Sequence, residues 1–251
     1  MRTLIMKHSF LICFILFQMI LLPATAQERL IPRTPVDLLE NKTERPDYYS
    51  AQRRLLIPNG STFAYLVSPS FHVEYALTYN QQQQKLVLTR AKQQIYAELM
   101  KPFRSKGYKT AAKARRHYER DMKKRERKMR KPQKPVTVPV EQFSLPFPRE
   151  MADSLGRLLT FAIYNSTLLE EEFTILDGTH YTFVKFHGAT CHSPRPGTNC
   201  GNLVNLMEAL CKAVEANDTT SAKALMPKIL NIKDTFKALT PSEYERRLGD
   251  L

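Results

Sequence analysis

The 251-residue sequence predicts an α+β protein: an antiparallel sheet with packed helices, interrupted by a long basic helical insertion. Three observations carry this. Apolar residues alternate with period two in residues 62–90 and 173–187, as half-buried strands require. They recur with helical spacing in residues 149–165, 202–215 and 219–239. Between these patterns, Lys109 to Lys131 contains no Pro or Gly and is dominated by Lys and Arg.

Residues 1–26 have the layout of a cleavable signal peptide. Arg2 and Lys7 charge its start, and Phe10 to Leu22 is apolar apart from Gln18. Thirteen helical residues rise roughly 20 Å, short of the ~30 Å hydrocarbon core of a bilayer. Pro23 ends that run, and Ala24-Thr25-Ala26 places the cut between Ala26 and Gln27. The expectation is export to the periplasm, the cell surface or the medium, with no transmembrane segment in the mature chain. Residues 27–60, rich in Pro and charge, read as an extended N-terminal arm. Residues 61–251 read as one α+β domain, interrupted by the basic segment and a Pro-rich linker at 101–148.

Thr62 to Val67 is rich in strand formers. In Phe71 to Tyr79, the residues Phe71, Val73, Tyr75, Leu77 and Tyr79 share one face of a strand. Asn80 and the four glutamines after it make a polar turn, and Lys85 to Thr89 returns as a second strand. Ala91 to Met100 suits a helix. A short strand fits Val136 to Val140 within the Pro-rich linker. Arg149 to Asn165 is amphipathic, with Met151, Leu155, Leu158, Leu159, Ala162 and Ile163 inward. Asp177-Gly178 joins two alternating runs and reads as a hairpin turn, because both of its positions need positive φ. Gly188 to Gly201 reads as a loop and Asn202 to Glu215 as a helix. A last helix, Ser221 to Leu239, is capped by Thr219 or Thr220 and kinked or divided at Pro227.

Charge is segregated. Lys85 to Lys134 holds 19 Lys/Arg and 4 Asp/Glu, whereas the rest of the mature chain holds 17 and 20. Such asymmetry speaks to partners rather than to fold. The candidate binding residues are Arg104, Lys109, Lys113, Arg115, Arg116 and Arg120, continuing through Lys123, Lys124, Arg125, Arg127, Lys128 and Arg130. They suit an anionic membrane surface, an envelope glycan or an acidic protein. Export argues against nucleic acid as the physiological partner. The bland alternative is a solvated, ion-pair-laced helix with no ligand.

The richest chemical segment is His187 to Cys200, HGATCHSPRPGTNC. In an exported chain the expected chemistry is a Cys191–Cys200 disulfide closing a ten-residue loop, worth about 2–3 kcal/mol by loop-closure entropy. Cys191–Cys211 is the rival pairing. The His and Cys spacing matches no zinc-finger pattern and no cofactor motif is present, so neither metal nor cofactor is expected. A cysteine nucleophile, with His187 or His192 as base and Asp177 as orienter, needs all three to converge in space. Two functions compete. One is a non-enzymatic exported binding protein acting through its basic helix. The alternative is a hydrolase-type enzyme using a Cys/His site in the 187–200 loop.

Pro69-Ser70-Phe71 with Glu74-Tyr75-Ala76-Leu77, then Leu86-Val87-Leu88, then Asp177-Gly178-Thr179 with Tyr181 and Phe183, resemble uncharacterised exported proteins of Bacteroidetes type. The resemblance covers residues 62–100 and 150–216 and skips the basic segment. It implies export and the α+β class, and it brings no activity.

Overall fold

The computed structural model describes residues 30–33, 46–101, 135–166, 178–185 and 187–235. The expected signal peptide with its Ala26–Gln27 cut, the twelve basic candidates between 104 and 130, and Asp177 lie outside the described residues.

The chain is α+β. Its sheet has seven antiparallel strands: β1 Ile31–Arg33, β2 Ser61–Pro69, β3 Tyr75–Asn80, β4 Lys85–Ala91, β5 Val140–Pro146, β6 Thr179–Val184 and β7 Gly188–His192. Their order is β1-β7-β6-β2-β3-β4-β5. Strands β2 to β5 form a meander, while the β6–β7 hairpin returns to the other side of β2. The helices are α1 Pro46–Leu56, α2 Ile95–Met100, α3 Arg149–Tyr164, α4 Asn199–Glu215, α5 Thr219–Ala224 and α6 Met226–Thr235.

Both faces of the sheet are covered. On one, Phe63, Tyr65, Val67, Leu77, Tyr79, Leu86, Leu88 and Phe183 pack against α3, α4, α5 and α6. On the other, Leu66, Ala76 and Ala91 pack against Tyr48, Ala51 and Leu56 of α1 and Ile95 and Leu99 of α2. This explains the unbroken apolar run of β2, where Phe63 to Val67 are all buried, because a strand covered twice has no solvent side.

The first helix corrects the extended arm read from residues 27–60. Pro46 stands at its first position, where a missing N–H costs nothing. Tyr48, Ala51 and Leu56 supply a short apolar stripe. The long strand expected from Phe71 starts only at Tyr75, and Phe71 itself is 74% exposed. The strand expected at 136–140 forms a few residues later, where β5 pairs with β4 from Val140 to Pro146. Residues 188–192 are a strand rather than a loop, and α4 begins at Asn199 with Thr198 as its cap. The final helix divides before Pro227, and Asp218, not Thr219 or Thr220, caps it by accepting from the Ser221 N–H.

Candidate functional site

Strand geometry decides the fate of the 187–200 chemistry. Alternation along β7 sends Cys191 into the core, opposite Tyr181. His192 therefore faces the other side, where its ring meets that of His180 at 4.3 Å, edge on. His187 precedes the strand and lies against the Tyr164 ring at 6.2 Å. Five strand positions separate the two histidines, roughly 16 Å at ~3.3 Å per residue. Neither is placed to take a proton from Cys191, so nucleophile and base do not converge.

The expected Cys191–Cys200 disulfide is not formed. Cys191, Cys200 and Cys211 are free thiols, each buried. Cys200 enters from the first turn of α4 and meets Cys191 as a hydrogen-bonding neighbour rather than a bonded one. That contact, with burial, pushes the Cys191 thiol far above the ordinary range. Burial foremost, with Glu208 nearby, does the same to Cys211. Such thiols stay protonated and make poor nucleophiles. Among the described residues, no three His, Cys, Asp or Glu groups come together as metal ligands.

The structure assembles two polar clusters that sequence reading missed. In the first, Glu208 of α4 accepts from Tyr65 Oη at 2.7 Å and from Tyr75 Oη at 2.8 Å. Two turns along α4, Arg90 of β4 forks onto both oxygens of Glu215, at 2.6 and 2.8 Å. Its guanidinium also lies over the Tyr75 and Phe143 rings at 5.9 Å. Burial, then the Glu208 charge, raises Tyr65 and Tyr75 well above the usual phenol range. These contacts seat α4 on the sheet. A signal existed: Glu208 shares a helical stripe with Val204 and Cys211, and a carboxylate within an apolar stripe requires donors.

The second cluster anchors the insertion. Glu74 is 1% exposed and accepts three hydrogen bonds. Tyr48 Oη reaches it at 2.9 Å, and the Ile95 and Tyr96 N–H groups at the start of α2 reach it at 2.8 and 3.1 Å. One buried carboxylate thus joins α1, α2 and the entry to β3. Alongside, the Lys92 N–H donates to the Pro139 carbonyl at 2.8 Å, and the Arg54 guanidinium donates to the Val136 carbonyl. Residues 102–134, between Lys101 and Pro135, lie outside the described residues. Strands β4 and β5 pair without interruption from Lys85↔Pro146 to Ala91↔Val140, so the sheet closes across the intervening 33 residues.

Those residues, 102–134, hold 15 Lys/Arg and 3 Asp/Glu, while the remainder after residue 26 holds 21 of each. Among the described residues, no helix is long and apolar enough to cross a membrane. No protein-family model, curated protein or solved structure matches the chain.

Proposed function

We propose that this is an exported, non-enzymatic binding protein that engages an anionic membrane surface through its basic segment, with Arg104 to Arg130 as the contact residues. The observation that carries the reading is the segregation of charge onto one connection. A formally neutral body bears a +12 segment between two strands that pair without it. A core element would have to bury this charge at great cost. A segment mounted on a fixed platform can present it to an anionic surface, at about 1 kcal/mol per basic residue near the headgroups. Export by the N-terminal signal would bring it to the envelope, in keeping with the resemblance to exported proteins.

The experiment is sedimentation with vesicles of phosphatidylcholine, with and without phosphatidylglycerol, across a salt series. Binding that needs the anionic lipid, weakens steeply as salt rises and disappears when residues 104–131 are deleted supports the proposal. Binding that survives the deletion, or no binding at low salt, would point instead to an acidic protein or a glycan.

A further inference from the structure

The corner between α1 and β2 carries the chain's single Asn-Gly pair, Asn59-Gly60. Both residues are exposed. Gly60 sits at φ 81°, in the left-handed region, and a Cβ built on it would meet nothing within 4 Å. The position is therefore glycine for its backbone angle and not for lack of room. Ser61 Oγ closes the corner by donating to the Pro58 carbonyl at 2.7 Å, and Ser61 pairs with Asn80 at the start of β2.

An asparagine side chain is open to attack by the backbone nitrogen of the residue that follows it. The attack needs a nitrogen that is uncrowded, free of a hydrogen bond and able to turn toward the side-chain amide. Gly60 has no side chain to shield its nitrogen. Among the described residues its N–H makes no hydrogen bond. The open space beside it leaves room for the ring that the attack forms. Asn217 shows the contrast. It too is exposed and left-handed, at φ 51°, but the Asp218 N–H after it donates to the Ala213 carbonyl at 2.8 Å. Asn199, Asn202, Asn205 and Asn231 stand within α4 and α6, where helical φ and ψ hold the following nitrogen away from the side chain.

We propose that Asn59 is a self-modifying site, which converts to aspartate and isoaspartate as the protein ages. The Gly60 nitrogen bonds to Cγ of Asn59, and the side-chain nitrogen leaves as ammonia, carrying away the proton of the Gly60 N–H. A water molecule then opens the five-membered imide. Breaking the new Cγ–N bond leaves an aspartate, and breaking the original peptide C–N bond leaves an isoaspartate. One water is consumed, one ammonia is released, and nothing is oxidised or reduced. Both products place a carboxylate on the corner. Isoaspartate also adds one carbon to the main chain just before Gly60. Turn geometry sets the register of the strand that follows, so the lengthened corner should loosen the Ser61–Pro58 bond and the Ser61–Asn80 pairing. The site does not depend on the basic segment and stands or falls separately from membrane binding.

The test is incubation of the purified, folded protein in warm, mildly alkaline buffer, followed by proteolysis and mass spectrometry with the site located by fragmentation. The peptide holding Asn59 should gain the mass difference between a hydroxyl and an amino group, roughly tenfold or more faster than the peptide holding Asn217. The aged protein should also become a methyl acceptor for an isoaspartyl methyltransferase. Asn59→Gln, which would have to form a larger ring, should abolish both signals. Gly60→Ala should slow the reaction by crowding the nitrogen; if its strained φ prevents folding, Asn59→Gln alone decides. Asn59→Asp adds the charge without the extra carbon and should melt as the unmodified protein does, whereas the isoaspartate fraction should melt lower. Conversion at Asn59 no faster than at Asn217, conversion only in the denatured chain, or methyl transfer undiminished in Asn59→Gln would each overturn the proposal.

Discussion

Tyr65 donates its phenolic proton to Glu208 at 2.7 Å, joining the middle of the sheet to α4 across 143 residues of sequence. Tyr65 is fully buried, so its hydroxyl has no water to fall back on. Hydrogen bonds to a charged acceptor contribute about 1.5–3 kcal/mol. Tyr65→Phe should therefore lower the unfolding free energy by about that amount in a urea titration. Tyr75→Phe should cost less, because Tyr75 is only half-buried. Glu208→Ala should exceed either, since it orphans two hydroxyls at once. The raised phenols also predict alkaline behaviour. A Tyr held neutral in the fold stabilises it fully below the unfolded value of about 10, and that contribution is lost as pH rises above it. Absorbance at ~295 nm should show these tyrosines ionising together with unfolding.

The three core cysteines make a second prediction. Buried thiols react slowly, so the native protein without residues 1–26 should resist a disulfide-exchange reagent, and once denatured it should titrate three thiols. A titre of one after denaturation without reductant would mean that two of the three cysteines are bonded after all.

His192 makes stability sensitive to mild acid. It is buried against His180, and burial lowers its affinity for a proton below that of the unfolded chain. The unfolded state then binds the proton first, starting near pH 6.5. The fold should hold its full stability above that pH and lose it progressively toward the lower native value. His192→Gln should flatten this slope below about pH 6.5, whereas His180→Gln, at an exposed position, should leave most of it. An unchanged slope in His192→Gln would assign the acid sensitivity elsewhere.

Much of the fold was legible because period carries burial. The stripe of Met151, Leu155, Leu158, Leu159, Ala162 and Ile163 predicted α3, and all but the half-buried Met151 are buried. The Asn80–Gln84 turn between β3 and β4 was equally plain, with Gln84 at φ 48°. The failures share a cause, that tertiary packing supplied what local pattern lacked. Helix α1 has an apolar stripe too short to stand out and holds because the sheet and the buried Glu74 are there to receive it. Strand β7 looked like a loop because Gly188, His192 and the Pro residues after it mask a five-residue strand paired with both β1 and β6. The 187–200 site failed for a different reason. Adjacency of Cys191 and His192 in sequence suggested proximity, but neighbours on a strand point to opposite faces.

Gly201 sits where α4 approaches the preceding loop, and its N–H donates to the Thr198 cap at 3.0 Å. A Cβ at that position would overlap the Arg195 carbonyl oxygen, which is backbone and cannot rotate away. Gly201→Ala should therefore cost about 1–3 kcal/mol despite raising helix propensity. Its effect should reach the neighbouring Cys200, seen as faster native thiol reaction. A stabilised Gly201→Ala would mean that the loop yields freely.

Removing residues 102–134 tests whether the body needs them. The β4–β5 ladder, Glu74 and the Lys92–Pro139 bond all lie outside the deletion. Replacing 33 residues by a short Gly/Ser link should leave the melting temperature nearly unchanged. The charge consequence is larger. With residues 1–26 also absent, what remains carries 21 basic and 21 acidic residues, so retention on a cation exchanger should be lost. Solubility should fall near neutral pH, since a protein without net charge associates more readily. A drop in melting temperature of many degrees would show that the segment packs on the body as part of its core, and the charge segregation would then lose its meaning as a binding device.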